Sequence, residues 1–400
     1  MKILLLCDTY FEGLTYRENL LSKYFIKNGH EVTIVSSNWD TLDNYYRDQY
    51  NKQLPESVVV QNGLKNIRLA YNLVLFKKIK KLKNIESILI DEKPDLVFVQ
   101  DISFNLHDVI RYKKQHNECR IVMGYNSDYS NSAKNWISLF FLHKIIRRTY
   151  LNFNKQFIEK FFPVNTGSVL FLSEVYGIPM QKMEILPLGV DDEFADESFK
   201  LLNREKIRNQ LSIPRDAKVI FSGGKIDKLK RLEDLIIAFN QIKKSNLYLI
   251  IVGKVDNSDE RYAQQMNGLI GSNPKIYYVG WVSGNDVYKY IAASDFAIFP
   301  GSQSVLWQQS IGMGLVTMLG KYSIKPNGAI IDQHVEYLNA NNNILILHSK
   351  GSKTKEIESN LNTCLNSPDY FDSIRNNSLA LGRSFLSYKS IINQILKRDY

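Results

Sequence analysis

Apolar residues fall along this chain in two forms: short continuous runs, and longer stretches with apolar positions three and four residues apart. The runs read as buried strands and the spaced stretches as amphipathic helices. Residues 2–7 predict a buried first strand, followed by a loop over 8–16 and a helix striped by Leu20, Leu21, Tyr24 and Phe25. Asn28-Gly29-His30 ends that helix, Gly29 suiting the left-handed position, and residues 31–36 form the second strand. Weak strands follow at 58–60 and 66–69, and clear ones at 95–99, 120–123 and 168–172, the last leading into a short helix near 174–176. A second series then starts, with strands at 218–221, 247–252, 276–279, 296–299, 316–319 and 344–347. Helical spacing appears around 232–243, 259–270, 285–293 and 305–313. Strands alternating with helices predict an α/β chain built on parallel, doubly wound sheets. The expected division is two Rossmann-like domains, 1–187 and 188–380, with a closing helical segment at 381–400 that can return to the first.

Composition narrows the class. Four hundred residues suit two domains with proper cores. Hydrophobic residues at 44% and charged residues at 23% exclude a disordered chain. No run of eighteen apolar residues occurs, and the apolar start at 1–7 is too short for a signal peptide. Cys7, Cys119 and Cys364 are odd in number and lack metal-ligand spacing, which points to a reducing cytoplasm. A formal net charge of +10 suggests an anionic partner.

One stretch, 218–239, carries chemistry. Val219, Ile220 and Phe221 are expected to stop at a tight turn, Ser222-Gly223-Gly224, and a helix striped by Leu232, Leu235, Ile236, Phe239 and Ile242 to begin near Arg231. The loop between them holds Lys225, Lys228, Lys230 and Arg231. Glycines that admit a ligand, free N–H groups at a helix start and ammonium groups together describe a phosphate or diphosphate site. A solvated, charged loop is the alternative.

The order of motifs resembles the GT-B glycosyltransferases, and the second half the retaining members of glycosyltransferase family four. The similarity runs from Ile185–Asp191 (ILPLGVD, beside the family's iPnGvD), through Phe221–Phe239 and Tyr278–Trp281 (YVGW), to Ala293–Pro300 (ASDFAIFP) and Gln309–Gly314 (QSIGMG). The resemblance implies two Rossmann-like domains facing a cleft, and transfer of a sugar with retention from a nucleotide diphosphate donor. It implies no cofactor and no metal: the donor is a UDP- or GDP-sugar, and cations replace the metal at the leaving group. Lys225 and Lys230 fall at the family's phosphate-binding positions, while Gly223, Gly224, Gly280, Trp281 and Ser304 fall on donor-binding loops. Gly13 stands where relatives are often glycine-rich. Asn126 or Ser127 occupies the place of a family histidine, with Asp128 beside it, although an Asx-turn or helix cap suits Asp128 equally. His143 reads as a packing or solvent histidine. The family's E-x7-E carboxylates are missing: no carboxylate occurs between Pro300 and Asp332, and Gln308 or Gln309 stands at the expected ribose contact.

The acceptor implied is a glycan or lipid-linked molecule, in cell-surface polysaccharide or glycoconjugate assembly. Residues 76–83 (FKKIKKLK) hold five lysines, with Phe76, Ile79 and Leu82 at helical spacing, and 137–150 places aromatics beside Lys144, Arg147 and Arg148. An anionic membrane surface, the inner face of a plasma membrane, is the expected partner of these stretches; a solvated helix face and plain core are the alternatives. No nucleic-acid-binding motif accompanies them. Loss of the carboxylates also leaves open a catalytically degenerate partner subunit of the same fold.

Overall fold

The computed structural model describes residues 1–39, 54–133, 135–242, 244, 246–256, 258–325 and 327–398. They divide into two compact units, Met1–Pro187 with the chain from Ile392 onward, and Leu188–Ile391.

The first unit is built on β1 (Lys2–Leu6), β2 (Glu31–Ser37), β3 (Ser57–Gln61) and β4 (Leu64–Leu69), a separate hairpin of β5 (Tyr71–Leu75) and β6 (Ile79–Leu82), then β7 (Leu96–Gln100), β8 (Arg120–Tyr125) and β9 (Lys160–Pro163). Seven of these strands form one sheet in the order β3-β4-β2-β1-β7-β8-β9. All neighbours are parallel except β3 and β4. Helices on both faces bury the central strands, which is why β7 and β8 read as unbroken apolar runs. The chain leaves β1 through β2 on one side and returns as β7 on the other, so the order reverses between β1 and β7. Ligands bind outside the carboxyl ends of strands at such a reversal.

Two expectations fail in this unit. Residues 168–172 are not a strand but part of the helix Thr166–Tyr176. A short apolar run cannot distinguish the two by itself. The caps decide: Asn165 accepts the Ser168 N–H at 2.7 Å, and Gly177 closes the helix with φ +67°. Residues 76–83 are not helical either. Phe76 and Lys77 take positive φ, 50° and 58°, as the turn between β5 and β6.

The second unit has β10 (Lys218–Ile226), β11 (Leu247–Val255), β12 (Ile276–Gly280), β13 (Phe296–Phe299), β14 (Val316–Gly320), a small hairpin of β15 (Tyr322–Ile324) and β16 (Ile330–Asp332), and β17 (Ile344–Leu347). Its sheet is parallel throughout, in the order β12-β11-β10-β13-β14-β17, and reverses between β10 and β13. The expected turn at Gly223-Gly224 is absent. β10 continues through it, paired with β11 as far as Ile226 and Val255. A Cβ on Gly253 would lie 1.9 Å from the Gly224 carbonyl oxygen, and one on Gly223 would lie 2.3 Å from that of Val252. These glycines therefore let two strands run together rather than end one of them.

Buried ion pairs fix both units. Arg208, buried on the helix Glu197–Gln210, donates to the carbonyls of Ala217 at 2.8 Å and Ala293 at 2.9 Å, and to Asp295 at 2.9 Å. Asp295 in turn accepts the Val219 N–H at 2.8 Å, so one network ties that helix to the starts of β10 and β13. In the first unit Arg120 pairs with Glu159 at 2.6 Å and donates to the carbonyls of Leu396 and Lys397 at 3.0 and 2.9 Å. A cation thus caps the end of the last helix, Tyr388–Leu396.

Candidate functional site

In the second unit the reversal point brings the end of β10 beside the loop after β13. Gly301 is needed there: a Cβ would lie 2.0 Å from the Leu229 carbonyl oxygen, against which the Ser302 N–H bonds at 2.8 Å. On the other side the Gln303 amide donates to the Gln333 carbonyl at 2.8 Å, and its backbone N–H donates to Gln333 Oε1 at 3.0 Å. Ser304 then starts the helix Val305–Gly312, its Oγ accepting the Leu306 N–H at 3.3 Å. That hydroxyl would lie only 3.7 Å from a Cβ at Gly224, whose φ is +111°. Bare backbone at Gly224 therefore faces a helix N-terminus, an arrangement that favours a phosphate.

Lys230 completes the arrangement. It ends the single turn Lys228–Lys230, and its half-buried ammonium donates to the carbonyls of Ser302 at 3.0 Å and Gln303 at 2.5 Å. Burial pushes its pKa down to about 8, partly offset by Asp227. Lys225 is different. It lies within β10, not on a loop, and its exposed side chain pairs with Asp256 at 2.8 Å. That bond, with the N–H and hydroxyl of Ser258, holds Asp256 well below the usual carboxylate range. Lys228 is likewise paired, with Asp259. At the end of β12, Gly280 has φ +81° and Trp281 is 72% exposed, a large free aromatic face.

The two glutamines are both buried. Gln308 accepts the Gly189 N–H at 2.7 Å and donates to the Tyr337 hydroxyl at 2.8 Å, so both ends of its amide serve the fold. Gln309 lies against the Tyr288 hydroxyl, which also accepts the Asp191 N–H at 3.1 Å, while its own Oε1 has no hydrogen bond.

The first unit holds a cavity of about 680 Å³ at its own reversal point. Asn126 and Ser127 line it; Asp128 does not. Asp128 is buried and accepts the Ser130 N–H at 2.8 Å together with the Ser130 hydroxyl, so its carboxylate holds a turn. Gly13 lines a separate depression with Tyr10, Leu14 and Lys23. His143, buried on the π-helix Ser138–Arg147, also faces the large cavity, with Nδ1 2.6 Å from the Tyr176 hydroxyl. Burial, with Arg147 and Lys78 nearby, lowers its pKa to about 4 and keeps it neutral.

Three residues of this cavity region carry no signal in the sequence. Asp101 follows β7 with φ +57°, and its carboxylate accepts the Asn126 N–H at 3.0 Å. Burial raises its pKa, against Asn126, Gln100, Arg147 and Arg17. Buried Arg17 donates to Asn126 Oδ1 at 3.1 Å and to the Leu186 carbonyl at 2.5 Å. Glu18, next to it, lines the cavity. Charges in the first turn of a helix are common, so only the folded sheet reveals that these three converge.

Two family models match the chain: Glycosyltransferase Family 4 over residues 19–194, and Glycosyl transferases group 1 over residues 203–316. Solved structures share the fold over nearly its whole length. A glycosyltransferase from Rickettsia africae superposes with TM-score 0.68 at 16% identity, covering 99% of this chain and 96% of that one. Sucrose-phosphate synthase from Thermosynechococcus elongatus gives 0.66 at 13%, covering 99% and 97%. Anabaena HepE, in complex with UDP and glucose, gives 0.61 at 14%, covering 99% and 98%. A search of curated proteins found no match. Two Rossmann-like sheets, the second with glycines and a helix N-terminus at its reversal point, together with the two family models that match residues 19–194 and 203–316, make this chain a GT-B glycosyltransferase of the group 1, family-4-like class.

Proposed function

We propose that the chain moves a sugar from a nucleotide diphosphate donor to a glycan or lipid-linked acceptor, with retention of configuration and without a metal. The observation that carries this reading is Lys230 beside Gly224 and the start of the helix Val305–Gly312. An ammonium group, bare backbone and helix N–H groups can together stabilise a leaving diphosphate. Lys225 supplies a second cation, and Trp281 a face on which a nucleobase can stack. A uridine donor is favoured over guanosine, because HepE binds UDP and an E. coli trehalose-6-phosphate protein was crystallised with UDP-2-fluoro glucose. Retention rests on the family resemblance, as does a place in cell-surface polysaccharide assembly.

Among the described residues no helix is long and apolar enough to cross a membrane. The first unit nevertheless exposes Phe76 (88%), Phe153 (73%) and Trp136 (70%) on segments rich in lysine and arginine. This pattern supports peripheral docking on an anionic membrane. Buried Gln308 and Gln309 in place of carboxylates favour the second reading, a donor-binding partner subunit without turnover. Melting the full chain with UDP and GDP, then measuring nucleotide release from UDP-glucose and GDP-mannose, tests both. UDP stabilisation with release supports the enzyme, stabilisation without release the subunit, and no stabilisation by either nucleotide refutes the donor site.

A further inference from the structure

The cavity at the first unit's reversal point carries positive charge along one wall. Lys77, Lys78 and Lys80 reach it from the β5–β6 hairpin, and Arg147 from the end of the π-helix, against three carboxylates, Asp8, Glu18 and Asp101. We propose that this cavity binds a sugar bearing an anionic group, a phosphate or a carboxylate, and so selects an acceptor of that class. This rests on the glycosyl-transfer reading above and names the chemistry of its acceptor.

The carboxylates are committed within the fold. Asp8 accepts Lys80 Nζ at 2.8 Å and the Tyr71 hydroxyl. Asp101 accepts the Asn126 N–H at 3.0 Å and Gln100 Nε2 at 3.3 Å, and Glu18 is bonded by its own backbone N–H. Among the described residues none of the three pairs with Lys78 or Arg147. The guanidinium donates instead to the Lys78 carbonyl at 3.3 Å and to the Tyr176 hydroxyl. Burial, then Arg147 and Lys78, keep His143 neutral, so its ring adds no charge to the wall it shares with them. Three helices, Arg17–Lys27, Leu106–Gln115 and Ser138–Arg147, begin at the cavity, with Glu18, Asn105 and Ser138 in its lining. Each turns the positive end of its dipole inward. An anion held here would meet cations without a counter-ion, and charge-assisted hydrogen bonds are the strong ones. The rest of the lining suits hydroxyl groups: Thr9, Ser127 and Ser132 present hydroxyls that no described residue bonds. About 680 Å³ accommodates a sugar ring with its substituent and is far too large for a lone ion.

The test is calorimetry on the full chain with the 6-phosphates of glucose, mannose and N-acetylglucosamine, with glucuronic and galacturonic acids, with the uncharged parent sugars and with inorganic phosphate. At least one charged sugar should bind about tenfold or more tighter than both its parent and inorganic phosphate, and its affinity should fall as salt rises. Lys78→Gln, at an exposed position, should weaken that sugar about tenfold without changing the chain's own melting temperature or the affinity of the parent sugar. Arg147→Gln should do the same to the charged sugar. Failure of every charged sugar to bind at millimolar concentration overturns the proposal, as does equal binding of the parents, or affinity unmoved in both variants. Inorganic phosphate binding as tightly as the sugar phosphates, an adventitious ion only, overturns it as well. Stabilisation of the same chain by UDP alongside any of these failures leaves the glycosyl-transfer reading standing. No stabilisation by UDP or GDP overturns that reading, and with it the bound sugar's place as acceptor.

Discussion

Raising the pH from 7 to 9 should weaken nucleotide-sugar binding about tenfold, and Lys230→Met should erase that dependence. The argument starts from a half-buried ammonium whose pKa lies at about 8 instead of 10.5, because desolvation disfavours its charge. A diphosphate beside it supplies the missing counter-charge and restores the ordinary value. Below pH 8 the lysine is charged before and after binding, so affinity is flat. At pH 9 only about one free chain in eleven carries the proton, and binding must import it, a loss of about 1.4 kcal/mol. A UDP-sugar is the right probe, because its diphosphate has no proton of its own to lose in this range. Calorimetry at pH 8.5 in two buffers of different ionisation enthalpy should report uptake of about 0.75 proton per site. Fold stability runs the other way. The folded pKa lies below the unfolded one, so the penalty for burying this charge is full below pH 8 and fades between 8 and 10.5. Proton uptake near zero, or an affinity constant from pH 7 to 9, would refute the placement of Lys230 at the diphosphate.

Arg208→Ala should lower stability by about 3 kcal/mol, read by denaturant titration, because it leaves two buried carbonyls unpaired and Asp295 with only Arg204 and the Val219 N–H. Gly253→Ala, at φ +144° and against the Gly224 carbonyl, should destabilise by about 1–3 kcal/mol or more. Gly268→Ala, in a helix interior with nothing within 4 Å, should instead stabilise by about 0.5–1 kcal/mol in the same titration. Replacing exposed Phe76, Trp136 and Phe153 with serine should abolish co-sedimentation with anionic vesicles, which in the parent chain should weaken as salt rises; equal binding to neutral vesicles would contradict the electrostatic part.

Much of the fold is legible in the sequence because parallel strands buried on both faces must be continuous apolar runs. All six strands of the second sheet fall on such runs, as do β1, β2, β7 and β8. The failures share a cause: local pattern was ambiguous and long-range partners decided. Residues 168–172 became helix through caps outside the run, and the lysine-rich stretch became a hairpin through positive φ at Phe76 and Lys77. Gly223-Gly224 looked like a strand end, yet the same absence of Cβ atoms allows close pairing with Gly253. The cation at 230 and the loop at 301–304 could be named from motif order, whereas Arg17, Glu18 and Asp101 could not. Their meaning depends on which strand ends the sheet reversal places together, and no local spacing encodes that.

The amides at 308 and 309 bear on donor binding differently once their surroundings are known. Read as lost ribose contacts, they should weaken the donor by the charge-assisted part of one hydrogen bond, about 1–2 kcal/mol. Gln308, however, is held between Gly189 and Tyr337, and Gln309 is 2% exposed with an unsatisfied Oε1. A carboxylate at 309 would have to be buried with no hydrogen bond to that oxygen, a cost that falls on the fold before any ligand arrives. Removing negative charge also leaves the field of Lys230 and the helix N-terminus less opposed where a diphosphate would lie. On the proposed donor site the neutral pair would therefore shift donor recognition from the ribose to the phosphates. Gln309→Glu is expected to lower the melting temperature and leave UDP affinity no better. Tighter UDP binding in that variant would show that residue 309 reaches the ribose after all, and that the phosphates do not dominate.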